Sequence, residues 1–198
     1  MKINEIEYTP NPNAVKFIVD TQLTPFSAHA EFKSAEDASG VPLAEQLFAI
    51  PHVESVYWTD RWITVTQDGG ANWHELLREI AAPLRAATRE DAALGDGWEE
   101  RAGGGTKDVA ELEGLGLHDE RMPAIMELLE DDILPFLQGD GGGLEVKAFV
   151  DNQLFIKYQG ACGTCPSSTM GTLLAIENLL QLEVDPKITV VSIDGAYF

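Results

Sequence analysis

Cysteine is nearly absent from this sequence: of 198 residues only two are cysteine, Cys162 and Cys165. Two thiols in a chain of this size cannot build the disulfide framework of a secreted scaffold. Their closeness points to metal or redox chemistry in a reducing compartment. Cations are scarce too. Thirteen Lys and Arg stand against 33 Asp and Glu, a formal net charge of −20, which repels nucleic acid and anionic membrane surfaces and removes both from the expected partners. The acidic excess reads either as a solvated surface or as adaptation to a salty cytoplasm. No apolar run approaches the roughly 20 residues of a membrane span, and residues Met1 to Glu7 lack the apolar core of a signal peptide. These absences predict a soluble, cytoplasmic protein. Histidine adds no metal site, because His29, His52, His74 and His118 have no ligand spacing to one another or to a cysteine.

What is present converges on seven residues, Gly160-Ala161-Cys162-Gly163-Thr164-Cys165-Pro166. Two thiols three positions apart, with glycine between and before them, form a short loop suited to a soft metal or a reversible disulfide. The stretch Leu154 to Tyr158 is strand-like, and Pro166 can open a helix. The thiols are therefore expected at a helix N-terminus, where the dipole favours the thiolate. The bland alternative is a pair of small buried cysteines that happen to be neighbours.

The rest of the chain, 44% hydrophobic, reads as an α/β (α+β) protein of two small two-layer domains, each a small mixed or antiparallel sheet packed with helices. Residues 1–87 form the first. Strands are expected over Ile3 to Tyr8 and Val15 to Val19, and a helix over Pro42 to Phe48. Val53 to Trp58 and Trp62 to Thr66 predict a hairpin about Thr59-Asp60-Arg61. The stretch from Thr24 to Gly40 is ambiguous. Asn72 with Glu75 resembles a capping box ahead of an amphipathic helix whose stripe is Trp73, Leu76, Leu77, Ile80 and Leu84. Residues 88–118, acidic and glycine-rich, predict a flexible linker spanning roughly 30 Å.

Residues 119–198 form the second domain. Asp119 is expected to cap a helix carrying Met122, Ile125, Met126, Leu129 and Ile133 on one face, with Pro135 disturbing its end. The run Gly139-Asp140-Gly141-Gly142-Gly143 supplies positive-φ positions for a reversal. It follows a helix and lacks the lysine of a phosphate loop, so nucleotide binding is not expected. Leu144, Val146, Ala148 and Val150 are assigned to the inner face of a strand, continued after an Asp151-Asn152 turn by Leu154, Ile156 and Tyr158. A helix with Met170, Leu173, Ile176 and Leu180 inward and a strand over Ile188 to Ile193 complete a small mixed sheet.

Gly160-Ala-Cys-Gly-Thr-Cys-Pro-Ser-Ser, with Thr169, Leu173 and Ile176-Glu177-Asn178 after it and Pro135-Phe-Leu-x-x-Asp-Gly-Gly before it, resembles the C-terminal domain of NifU-like (Nfu-type) iron–sulfur scaffold proteins. That resemblance covers about residues 120–193. Tyr8-Thr-Pro-Asn-Pro-Asn-Ala-Val-Lys-Phe, Pro42-Leu-Ala-x-x-Leu-Phe and Val53-x-x-Val-Tyr resemble the N-terminal domain that precedes it in many such proteins. The resemblance implies a non-enzymatic scaffold or carrier. It would hold an iron–sulfur cluster, usually [4Fe-4S] with [2Fe-2S] as the alternative, between two subunits and pass it to apo-proteins. Cys162 and Cys165 are its implied ligands, and a cluster donor machinery and apo iron–sulfur recipients its implied partners. Gly143 departs from the aspartate usual in the family's glycine loop.

The residues alone support a shared site. Both common cluster types take four protein ligands, and this chain offers two thiols. A cluster-dependent homodimer is the expectation. The alternatives are a thioredoxin-like dithiol oxidoreductase, which uses the same strand–Cys-x-x-Cys–helix arrangement but typically follows a βαβ unit, and a dimer bridged by zinc on four cysteines, which needs the same sulfurs.

Overall fold

The computed structural model describes residues 1–24, 29–94, 114–163 and 166–193, excepting the side chains of 166–170. The chain divides into two compact units, Met1–Gly104 and Gly105–Phe198.

The first unit is a five-stranded antiparallel sheet covered on one face by helices. Its strands are β1 (Ile3–Tyr8), β2 (Ala14–Val19), β3 (His29–Phe32), β4 (Val53–Thr59) and β5 (Trp62–Gln67), in the order β1-β2-β5-β4-β3. The pairs Val15↔Val65, Phe17↔Ile63 and Trp58↔Ile63 place large apolar side chains on one face. Helices α1 (Pro42–Phe48) and α2 (Trp73–Ala86) close over that face with Leu43, Leu47, Leu76, Ile80 and Leu84. Ile3 packs against this core, and the β1–β2 register shifts between Ile3 and Glu5. Ile6 and Tyr8 of the same edge strand stay open to solvent, Tyr8 to 71%.

Several expectations are refined here. β3 falls in the ambiguous stretch. His-Ala-Glu-Phe has weak strand propensity, and the strand exists because Ala30 and Phe32 pack into the core opposite Trp58 and Val56. The hairpin turns as expected at Asp60, which has φ 43°. Asn72 caps α2 by accepting a hydrogen bond from the His74 N–H at 2.9 Å. Ordered packing also enters both ends of the expected linker. Ala92 is fully buried in the first core and Leu117 packs against the second. The middle of that stretch, 95–113, lies outside the described residues.

The second unit has a three-stranded mixed sheet, β6 (Gly142–Val150), β7 (Gln153–Gly160) and β8 (Thr189–Ser192), ordered β6-β7-β8. β6 and β7 are an antiparallel hairpin. β8 runs parallel to β7 and is reached through α5 (Pro166–Glu183). A long helix precedes the sheet in two pieces, α3 (Met122–Leu128) and α4 (Leu134–Gly139), joined by a widened π turn over Leu129–Ile133. Pro135 explains the widening: it has no N–H to bond the Asp131 carbonyl, and its ring would clash there in a regular helix. Met122, Ile125, Leu129 and Ile133 are buried as expected, whereas Met126 is exposed.

The inner face of β6 differs from the simple alternation. The register shifts between Val146 and Ala148, leaving Lys147 as the extra residue, so Phe149 pairs with Leu154 and joins the main core group, to which Ala148 and Val150 do not belong. Asp151 and Asn152, with φ 51° and 65°, make the tight turn. The residues before α3 also run along β6, with the Gly114 N–H bonded to the Lys147 carbonyl and the Phe149 N–H to the Leu115 carbonyl. Ile176 and Leu180 of α5 are buried and Leu173 is partly so. The Met170 side chain is outside the described ones.

Asp119 does not cap α3 in the expected way. Its carboxylate instead takes hydrogen bonds from the Arg121 backbone N–H and guanidinium, and Arg121 reaches on to Asp185 at 2.9 Å and Asn152 at 2.8 Å. The same guanidinium lies 4.6 Å from the centre of the Phe149 ring. One cation thus ties the start of α3 to the β6–β7 turn and to the segment after α5. The Arg121 guanidinium and backbone N–H hold the Asp119 carboxyl down to about 2, and the Lys187 N–H, then Arg121, lower Asp185.

Two outcomes follow from this architecture. A carboxyl lowered on folding adds stability that is present above its ordinary value and is lost as pH falls through the folded one. The stability difference between wild type and Arg121→Gln, read from urea unfolding, should therefore be constant above about pH 5 and shrink from about pH 4 towards 2. In addition, we expect fragments 1–104 and 105–198 to fold separately, with a fragment starting at residue 119 less stable than one starting at 105, because it loses the two hydrogen bonds to β6 and the Leu117 contact. Circular dichroism melts of the three fragments check this.

Candidate metal centre

The site is built by the glycine-rich end of the β6–β7 hairpin. α4 ends in a reversal in which the Asp140 N–H bonds the Phe136 carbonyl and the Gly141 N–H bonds the Gln138 carbonyl. Gly141 takes φ 80°, a conformation glycine adopts without steric cost. β6 then starts at Gly142, opposite Gly160 at the end of β7. Beyond β7 the chain turns again: Gly160 has φ 62°, the Gly163 N–H returns to the Gly160 carbonyl at 3.2 Å, and the Ala161 N–H bonds the Gly141 carbonyl at 3.3 Å. Two glycine turns are thereby stitched together.

Cys162 sits on this double turn, 4% exposed, within the core group that includes Tyr158 and Ile176. Its sulfur lies over Gly142. A Cβ built at Gly142 would come within 2.7 Å of Cys162 Sγ, 3.0 Å of the Cys162 N and 2.4 Å of the Gln159 carbonyl oxygen. Those distances are too short for any side chain, so residue 142 must be glycine for the thiol to occupy this position. Gly163 is different, since the nearest described atoms a Cβ there would meet are those of the Tyr158 and Gly160 carbonyl groups, at 3.4 Å or more, which is ordinary contact.

Thr164 and Cys165 lie outside the described residues. α5 begins with Pro166, as expected, directly after them. The Cys-x-x-Cys segment therefore joins the carboxyl end of a strand to a helix that leads to a parallel strand, the position at which open α/β sheets place their ligands.

Sequence reasoning singled out both cysteines but missed Gly142, reading the glycine run only as a reversal. The signal was the run's length, because one positive-φ turn at Gly141 does not require the next two residues to be glycine. Among the described residues no group of three His, Cys, Asp or Glu side chains is placed to hold a metal ion. His52 pairs with Asp68 at 3.1 Å, His29 stacks on Tyr57 with ring centres 6.0 Å apart, and His74 lies 3.3 Å from Arg78. Each has a local partner of its own unit. Two thiols alone under-fill a metal or cluster that takes four ligands.

Comparison with known proteins adds independent findings. Residues 3–91 match the family described as the Nfu/NifU scaffold protein N terminal domain, and residues 125–191 match the NifU-like domain. The NFU1 iron–sulfur cluster scaffold homolog, mitochondrial, of Homo sapiens is 33% identical over 89% of this chain and 66% of that protein. The protein of the same name in Drosophila ananassae is 29% identical over 89% of this chain and 59% of its own length. The chain thus spans about three-fifths to two-thirds of these relatives. The solution structure of a NifU-like protein from Saccharomyces cerevisiae is 28% identical, with a TM-score of 0.39 over 42% of this chain and 76% of that one.

The close approach at residue 142 generates an expectation that separates it from its neighbour. Gly142→Ala should push the Cys162 sulfur aside and lower iron and sulfide uptake by at least about tenfold, whereas Gly163→Ala should load as wild type does. Chemical iron and sulfide analysis after anaerobic reconstitution, with circular dichroism to confirm folding, decides between them.

Proposed function

Since the chain belongs to the Nfu-type family of NifU-like scaffold proteins, we propose that it carries an iron–sulfur cluster, [4Fe-4S] in the first instance, held by Cys162 and Cys165 of two chains and handed to apo-proteins. The observation that best supports this reading is the Cys162 thiol braced over Gly142 at a strand end that leads into α5, in a chain with two cysteines and no more.

The chemistry follows from the donor count. Thiolates are strong, soft ligands for iron. Two per chain cannot complete a cluster, so two chains supply four, and binding free energy for the cluster becomes association free energy for the dimer. The cluster is cargo. A recipient's thiolates can replace these four one at a time, each incoming sulfur forming an Fe–S bond as a Cys162 or Cys165 sulfur leaves and takes up a proton. No electrons move and no substrate bond is transformed, which makes the protein a carrier and not an enzyme. Its partners on this reading are a cluster donor and apo iron–sulfur proteins. A reducing compartment such as the cytoplasm keeps the thiols competent; the human relative's name places that protein in the mitochondrion.

The β7–α5–β8 crossover gives the dithiol oxidoreductase alternative a specific footing, because a parallel pair does flank the motif here. The two readings separate cleanly in one experiment. Anaerobic reconstitution should yield a dimer with one four-iron cluster per two chains, and Cys162→Ala or Cys165→Ala should each abolish it while far-UV circular dichroism stays as in wild type. A single mutant that keeps full iron and sulfide, or a wild type that reduces insulin disulfides and takes up no iron, overturns the carrier reading. Zinc without sulfide would point to the four-cysteine zinc bridge.

A further inference from the structure

We propose that the outer face of α5 is where two copies of this chain pair, parallel and side by side, when they share a cluster. The need for a second chain rests on the carrier reading; the choice of this face rests on separate observations. α5 turns Ile176 and Leu180 into its own core, with Leu173 and Leu179 packed beside them. Its other side presents Gly171, Leu174, Ala175, Asn178 and Leu182, all exposed, Leu174 to 55% and Leu182 to 79%. Leu174 and Leu182 thus both open to water on the side of the helix away from its own core.

Gly171, Ala175, Asn178 and Leu182 recur at steps of four, three and four residues. That is the spacing of the seam of a two-stranded coiled coil, with Leu174 flanking it. An Asn at one seam position is a known device for fixing a two-stranded, in-register pair. Gly171 adds a further pointer: among the described residues a Cβ there would meet nothing within 4 Å, and none of them calls for glycine. Close approach by a second helix would.

Charge singles out the same face. The chain carries a net −20, and two copies repel each other over most of their surfaces. Between Gly171 and Leu182 the sole charged residue is Glu177, and its carboxylate is turned back to accept the Val190 N–H at 2.9 Å. The outer face is therefore an uncharged strip on an acidic molecule. Orientation follows from the thiols. Cys165 immediately precedes Pro166, so four thiolates on one cluster bring both α5 N-termini to the same end. A parallel pair does this; an antiparallel pair separates them by the helix length, about 27 Å. The small residues Gly171 and Ala175 lie in the half of α5 nearer the cysteines.

Leu182 provides the test, since it stands roughly 24 Å along the helix from the cysteine end, too far to touch a cluster on its own chain. Wild type, Leu182→Glu, Leu182→Lys and the control Phe136→Ser, whose side chain is 75% exposed on α4, would be reconstituted anaerobically and examined by analytical ultracentrifugation with iron and sulfide analysis. Leu182→Glu and Leu182→Lys should each fold yet weaken the loaded dimer at least about tenfold, and Phe136→Ser should match wild type. A mixture of the Glu and Lys variants should restore the loaded dimer, because parallel pairing sets residue 182 against residue 182. A Leu182→Glu chain that dimerises and loads as wild type does, loss of the dimer in Phe136→Ser alone, or a mixture that restores nothing overturns the pairing while the carrier reading stands. A wild type that takes up no iron and sulfide removes the carrier reading, and the pairing falls with it.

Discussion

Cys162 reaches its position only where the neighbouring strand has no side chain, and much of the second unit is arranged around that approach. Gly142 and Gly160 face each other across the end of the hairpin, and the turns on either side of them are joined by the Ala161 N–H to the Gly141 carbonyl. A side chain at 142 would strike backbone as well as sulfur, so the conflict could not be relieved by a rotamer change. The thiol is thus placed by backbone geometry, the least adjustable part of a protein, while the residues that follow it enter α5 through a proline.

The two ends of the hairpin are stabilised by different physics. At the turn, Arg121 gathers Asp119, Asp185 and Asn152 and stacks on Phe149, drawing three chain segments together at the end remote from the cysteines. β7, eight residues long, separates the two ends by about 25 Å. At the cysteine end the fastening comes from glycine turns and the backbone hydrogen bonds that join them. The division has a chemical logic. In a network of charges each group is positioned by the others, so a disturbance at one spreads to all, whereas the cysteine end is fixed by backbone geometry and depends on no charge.

Much of this was legible in the sequence. Long elements with strong period, such as α2 with its Leu76, Ile80 and Leu84 stripe, and β7 with Leu154, Ile156 and Tyr158, read directly, because each buries one face. The strand that leads to Cys162 and the helix that opens at Pro166 read as well. What escaped was non-local. β3 owes its existence to Trp58 and Val56 on another strand and not to its own propensity. The extra residue at Lys147 brings Phe149, and not Ala148, into the main core group, a one-residue change that alternation cannot anticipate. Gly142 was visible as a letter, but its purpose is a contact with the sulfur of Cys162, on the far side of the hairpin.

The acidic charge and the uncharged strip on α5 act together on the proposed pairing. Coulomb repulsion between two copies of net charge −20 is damped within about 8 Å at physiological salt, so it opposes the dimer only when the surfaces are close, and it does so whether or not a cluster is present. The α5 strip is short and includes glycine, alanine and asparagine, so the apolar area it removes from water is modest. Neither contribution alone favours a standing dimer. On the proposed carrier reading, four iron–thiolate bonds would tip the balance, and their transfer to a recipient would return it. An interface that is adequate with the cargo and inadequate without it releases its two halves as the last sulfur is exchanged, which is the behaviour a carrier requires and a larger, charge-matched interface would prevent.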